Sequence, residues 1–227
     1  MQARQLFQRI NHLTLFIALL GVSFSATVFA AESPSITTGK QLYEENCIFC
    51  HQENGIGQVG IAPSLTNKEL LSIATDKFLI DTIRDGQDGT SMAAFGVLGT
   101  AGIQAIVAYL RSFEKIPNRA AEVDKQPDAF GDPRLGRQWY EQICSTCHGM
   151  AGEGYAAGGS GTAIGKRGFL SKASDGFIRE TIRIGRSNTA MYGFQGPMVG
   201  LADLDDREID DIIVYLRSLP TYQATME

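Results

Sequence analysis

Four cysteines in this 227-residue chain fall into two copies of one pattern: Cys47-Ile48-Phe49-Cys50-His51 and Cys144-Ser145-Thr146-Cys147-His148. C-x-x-C-H is the attachment pattern of a c-type haem. The thiols add to the two vinyl groups, and the following histidine is carried under the iron. A lone C-x-x-C also suits a thiol redox pair, and two such pairs together suit zinc. Neither reading explains a histidine placed directly after each pair. The two motifs use all four cysteines, so none is left for a structural disulfide. The expected cofactors are therefore two covalent haem c groups. They supply redox chemistry that no side chain provides.

An iron that carries electrons without binding substrate needs a second axial ligand. The chain has three histidines, and His12 lies in the N-terminal segment discussed below. His51 and His148 remain, one per haem, so the chain has no histidine to spare. Methionine is the next candidate, because a thioether binds iron and raises its potential. Met92 follows Gly86 by six residues, and Met191 follows Gly185 by six. Met92 and Met191 are the expected iron ligands, and Met198 is the competitor for the second iron. The plainer alternative is that these methionines fill gaps in the core.

The elements that must position these groups are written twice. Gly39 to Cys47 matches Gly136 to Cys144 at an offset of 97. Thr75 to Gly86 matches Ser174 to Gly185 at an offset of 99, and Ile103 to Phe113 matches Ile209 to Leu219 at 106. Three ordered matches indicate a duplicated domain. Apolar residues recur at helical spacing at Ile103, Ile106, Val107 and Leu110, and again at Ile209, Ile212, Ile213 and Leu216. Asp132-Pro133 reads as a helix start running to about Cys144. Expected caps for the other helices are Thr37 or Thr38, Thr66 with Glu69, Thr100, and Asp205 with Glu208. Gly86 and Gly185 suit helix stops, and Pro220 is read as ending the last helix. The glycine-rich stretch from Gly149 to Gly168 lacks a phosphate-loop signature and reads as an irregular loop around the second haem.

Arg4 and Arg9 precede a largely apolar run from Leu13 to Ala30, and Val28-Phe29-Ala30 has the form of a cleavage site. Residues 1–30 are read as a signal peptide, with retention as a membrane anchor as the alternative. Without them the chain carries 18 basic and 25 acidic side chains, which disfavours nucleic-acid binding. The expected location is periplasmic. Residues 31–118 form the first domain, 119–132 a linker and 133–227 the second domain.

Each half resembles a class I cytochrome c. The whole is similar to two-domain dihaem cytochromes of the cytochrome c4 type, over nearly all of the chain after residue 30. The resemblance implies an all-α fold of two tandem domains. It also implies that Gly39, Tyr43, Gly136 and Tyr140 pack against Ile106 with Tyr109 and Ile212 with Tyr215 on the last helix of each half. It further implies that the Pro63 carbonyl accepts a hydrogen bond from His51. Ser160 stands at the equivalent spacing in the second half, where another carbonyl has to serve, and unequal haem potentials are expected from that difference. The function implied is single-electron transfer between a donor and an acceptor redox protein. The alternative is a cytochrome subunit of a periplasmic or membrane-associated dehydrogenase or oxidase. A dihaem enzyme fits less well, because both irons are expected to be closed. Lys166, Arg167, Lys172, Arg179, Arg183 and Arg186 form a basic set that suits partner docking, haem propionates or plain solvation, with Arg179, Arg183 and Arg186 at one-face helical spacing. Asp203 to Asp211 form an acidic set that suits compensation of a helix N-terminus.

Overall fold

The computed structural model describes residues 35–196 and 202–224. Residues 1–30, with their expected signal peptide, and Met198 lie outside the described residues. Among the described residues the regular structure is helical, with one isolated antiparallel bridge between Gln58 and Ala62 and no strands. The all-α expectation therefore holds.

The first half contains α1 (Ile36–Asn46), α2 (Ile48–His51), α3 (Lys68–Ile73), α4 (Asp76–Asp85) and α5 (Gly99–Arg111). A short helix, α6 (Ala120–Val123), lies in the connecting segment. The second half contains α7 (Pro133–Trp139), α8 (Ser145–His148), α9 (Arg167–Leu170), α10 (Asp175–Ile184) and α11 (Asp206–Ala224). A π-helical turn, Tyr140–Cys144, joins α7 to α8. The first-half counterpart is a regular helix up to Asn46.

Local chemistry explains most boundaries. Asp132 accepts from the Arg134 N–H (2.9 Å) with Pro133 at the first helical position. Asp205 and Glu208 form a reciprocal capping box, each side chain accepting from the other's backbone N–H at 2.8 Å. Gly86 and Gly185 end α4 and α10 with φ of 68° and 66°, a region that favours glycine. Other caps differ from expectation. Ser35, two residues before Thr37, caps α1. Asn67 caps α3 instead of Thr66, because an amide oxygen serves equally well one residue later. Thr66 instead donates to the Asn54 carbonyl. The N-cap of α5 is Leu98, with no side-chain bond, so Thr100 has no capping role. The last helix continues through Pro220 to Ala224, since proline removes one N–H but its φ is helical.

In each half the first helix crosses the last. Gly39 packs on Ala105, and Gly136 on Asp211 and Ile212, so closely that a Cβ on either would overlap backbone. Tyr43 and Tyr140 are buried beside these crossings. Their rings lie 5.4 Å from Tyr109 and Tyr215 respectively. Arg111 and Arg217 tie the last helix to the middle of each half. Arg111 donates to the Leu71 and Ala74 carbonyls and to Asp76. Arg217 donates to the Leu170 and Ala173 carbonyls and to Asp175. The connecting segment is not loose. Val123 and Ala120 are buried, and Arg119 pairs with Glu180 at 2.6 Å. The described residues, 35–196 and 202–224, belong to one compact unit.

Candidate functional site

Each C-x-x-C-H motif straddles the junction between two helical segments. Cys47 ends α1 and caps α2, while Cys144 closes the π turn before α8. The chain reverses immediately after each histidine, at Gln52 (φ 63°) and Gly149 (φ 81°). The buried tyrosines hold these reversal points. Tyr43 donates to the Gln52 carbonyl at 2.7 Å and Tyr140 to the Gly149 carbonyl at 2.8 Å.

His51 Nδ1 lies 2.9 Å from the Pro63 carbonyl oxygen. In the second half His148 Nδ1 lies 2.7 Å from the Thr162 carbonyl, and Ser160 is not the counterpart. A carbonyl only accepts, so each Nδ1 carries the proton and each Nε2 keeps its lone pair for a metal. Burial lowers both histidine pKa values, only partly opposed by these bonds, so the neutral ring is favoured. Gly161 closes on the second imidazole, where a Cβ would stand 2.7 Å from Cε1 and Nδ1.

The cysteines are unpaired. Burial, and then the neighbouring sulfur, pushes Cys47 up to about 11 and Cys144 up to about 12. Before haem attachment this favours the protonated thiol, unlike the acidic thiolates of a redox dithiol site. Among the described residues no group of three His, Cys, Asp or Glu side chains converges as a metal site, so nothing there favours zinc.

Met92 and Met191 sit in matching loops. Gln87 N donates to the Met92 carbonyl (3.0 Å), and Arg186 N to the Met191 carbonyl (2.7 Å). Thr90 Oγ1 accepts from Met92 N, and Thr189 Oγ1 from Met191 N. Phe95 N and Phe194 N return to Ile83 and Ile182 of the preceding helices, each at 3.0 Å. Met150 is exposed beside the second motif.

The first half also leaves buried polar atoms open. Thr82 Oγ1 and Gln87 Oε1 have no partner. Their counterparts, Thr181 and Arg186, bond to one another at 2.7 Å. Prepared imidazoles, unpaired thiols and unpartnered buried atoms all fit a covalently held group.

The basic set is largely committed within the chain. Arg179 is buried, pairing with Asp210 at 2.7 Å and donating to Gln126 and Pro127. Arg183 pairs with Asp206 at 2.7 Å. Lys172 donates to the carbonyls of Gly86 and Gly168. Arg186 is over the Phe177 ring. Arg179 and Arg183 thus hold the fold and do not form an open docking face. Of the acids, Asp205 and Glu208 cap α11, and Asp211 is buried and accepts from Asp132 N.

Comparison with known proteins addresses both halves. The family described as "Cytochrome C oxidase, cbb3-type, subunit III" matches residues 34–110, and the family "Cytochrome c" matches residues 134–220. The chain is a dihaem class I cytochrome c. Its cofactors are two haem c groups. This cytochrome is 28% identical over 146 residues to the cbb3-type cytochrome c oxidase subunit CcoP of Rubrivivax gelatinosus, covering 64% of this chain and 44% of that one. It is 27% identical over 199 residues to CcoP of Azospirillum sp. (strain B510), covering 80% and 61%. Over 76 residues it is 38% identical to subunit FixP of Bradyrhizobium sp. (strain ORS 278), covering 33% and 26%. The cytochrome therefore spans less than two-thirds of the length of each of these relatives. Among solved structures it resembles a chain of the Kuenenia stuttgartiensis reducing HAO-like protein complex Kustc0457/Kustc0458. The TM-score is 0.51 at 19% identity, covering 85% of this chain and 100% of that one, which shows the fold alone.

Two functional features escaped the sequence reading. The Thr162 carbonyl was legible in principle: the offset of 99 between Thr75 and Ser174, carried back from Pro63, lands on Thr162. The arginine anchors Arg111 and Arg217 stand in a string, Tyr-Leu-Arg-Ser, that both halves carry at 109–112 and 215–218, but nothing in that string says what they hold.

Proposed function

We propose that this cytochrome is the electron-transfer subunit of an exported oxidase or dehydrogenase complex, receiving electrons from a donor protein and delivering them within the complex. The observation that carries this reading is the similarity to CcoP over 80% of the chain, spanning both halves. It favours a subunit over the free carrier of the c4 type. Residues 31–118 and 133–227 serve as the two haem domains, joined by 119–132, in a periplasmic location. Membrane association, where present, falls to the N-terminal segment. No helix among the described residues is long and apolar enough to cross a membrane.

Cys47 and Cys50 hold one haem, and Cys144 and Cys147 the other. His51 and Met92 are the ligands of the first iron, His148 and Met191 of the second. When bound, haem supplies a one-electron iron couple with a potential raised by methionine ligation. The residues around it hold it still. The Pro63 and Thr162 carbonyls fix the imidazole rings and their protons. Tyr43 and Tyr140 lock the backbone just beyond them. A fixed ligand set needs little rearrangement between redox states, which suits transfer over substrate chemistry.

The test is affinity purification of the full chain from its native membranes and periplasm, with haem-stained identification of what accompanies it. A stoichiometric oxidase or dehydrogenase subunit is expected. Recovery of the cytochrome alone, with electron delivery to many small partners, would return the assignment to the free carrier.

A further inference from the structure

The contacts between the two halves are reciprocal. Ser187, in the loop from Gly185 to Met191, presents its N–H and hydroxyl to Glu69 Oε2 at 3.1 and 2.9 Å. Asn67 Nδ2 donates to the Ser187 carbonyl at 3.0 Å. In the opposite direction, Lys172 Nζ donates to the Gly86 carbonyl at 3.1 Å, at the start of the loop from Gly86 to Met92. Gly168 packs so tightly against Asp88 in that loop that a Cβ would strike its backbone.

At the offset of 99, Ser187 is the counterpart of Asp88, and Gly168 of Glu69. The contact of residue 69 with 187 is thus the mirror of the contact of 168 with 88. Phe78 and Phe177 are also counterparts, and they meet each other with ring centroids 4.8 Å apart. Such pairing, i with j and j with i, is what a two-fold interface produces. The structure is that of a dimer whose two subunits have been joined in one chain.

We infer that each half clamps the methionine-bearing loop of the other: Glu69 and Asn67 hold the loop of Met191, and Lys172 with Gly168 holds the loop of Met92. These are positioning residues. Lys172 grips the Gly86 carbonyl of the peptide whose Gln87 N–H donates to the Met92 carbonyl, and Glu69 and Asn67 grip Ser187, the residue after Arg186, whose N–H donates to the Met191 carbonyl. Glu69 is well suited to its part. Burial opposes its charge, but the two Ser187 bonds prevail and hold its pKa below the usual range. The inference rests on the proposed ligand roles of Met92 and Met191 for its redox consequence, but not for the clamp itself. A rearrangement at one iron's loop then bears on the other half, which is a physical route for the two sites to sense each other.

The experiment uses the full haem-loaded chain with Glu69→Ala and Lys172→Met. It reads amide hydrogen exchange by mass spectrometry over 86–92 and 185–191, and the methionine–iron charge-transfer absorption of each haem. In Glu69→Ala, exchange over 185–191 is expected to rise about tenfold or more from loss of two bonds to a charged acceptor. Exchange over 86–92 is expected to stay within about twofold of wild type, a margin too small to represent a lost bond of that kind. Lys172→Met is expected to give the converse, and Glu69→Gln, which keeps an acceptor, to recover part of the loss. A rise confined to the mutated half, or equal in both loops and in α5, overturns the clamp. A crossed exchange pattern in a protein whose native form lacks the methionine–iron charge-transfer absorption upholds the clamp and refutes the methionine ligation.

Discussion

Gly39→Ala and Gly136→Ala probe the helix crossings that carry both haem motifs. In the structure a Cβ on Gly39 would sit 2.5 Å from the Ala105 carbonyl carbon and 3.0 Å from Tyr109 Cβ. On Gly136 it would sit 2.8 Å from Ile212 N and overlap the Asp211 carbonyl. Nonbonded carbons rest at about 3.5–4.0 Å, so the helices must part by roughly 1–1.5 Å. That separation strips contacts from the buried side chains Ile106, Tyr109, Ile212 and Leu216. Overpacking of this kind costs about 1–3 kcal/mol, and rigid backbone places these two at or above the upper end. For a domain of this size each kcal/mol moves the melting temperature by about 4–8 °C, so a loss of roughly 10–20 °C is expected. Gly102, within α5, is the control. Its Cβ would meet Leu42 and Leu98 at 3.4 Å, an acceptable distance. Gly102→Ala should be neutral or stabilising by up to about 1 kcal/mol, as in an ordinary helix interior. The assay is thermal unfolding of the haem-loaded protein. Melting of Gly39→Ala and Gly136→Ala within a degree or two of wild type would refute the close crossing.

Three further outcomes follow from particular contacts. Arg217→Met should lower stability by about 2–4 kcal/mol in denaturant titration, since it leaves the Leu170 and Ala173 carbonyls and Asp175 Oδ1 without their donor. An unchanged midpoint would mean that water replaces the arginine at no cost. Glu69 has a folded pKa below its unfolded value, so its contribution is complete above about pH 4.5 and is lost as pH falls through the lower folded value. The stability difference between wild type and Glu69→Gln should therefore shrink on acidification below about pH 4.5; a difference constant to pH 2 would contradict the linkage. Arg186 in the second half stands where Gln87 stands in the first, a difference of one charge in otherwise matching loops. Arg186→Gln should lower the potential of the second haem by tens of millivolts, from roughly 1 kcal/mol of charge interaction at an effective dielectric near 20. Spectroelectrochemical titration checks this, and an unmoved pair of potentials would show that the charge is screened.

The repeat made much of this legible. Motif spacing and three offsets point to two helical halves, to His51 and His148 at matching places, and to matching loops around Met92 and Met191. These are strong signals because each rests on a periodic apolar face or on a fixed covalent geometry. The caps were harder. Ser35 and Asn67 lie one to three residues from the expected positions, because several adjacent polar residues cap equally well and packing chooses among them, while α5 begins after Leu98 with no side-chain cap at all. The Thr162 carbonyl is a backbone atom reached through an insertion of two residues, and no side chain marks it. The basic set misled because Arg179 and Arg183 have one-face spacing, but the face is turned towards Asp210 and Asp206 and not towards a partner. Contacts between the halves, such as Glu69 with Ser187, depend on how two repeats meet, which no local pattern encodes.

We propose that both irons are closed by one histidine and one methionine, an arrangement that suits electron transfer over catalysis at the haems. Carbon monoxide added to the reduced, full-length, haem-loaded protein tests this most directly. The account predicts no rapid carbon monoxide complex at either haem in the native protein, and one at the second haem alone in Met191→Ala. Rapid binding to the native protein would show an open iron and contradict the account.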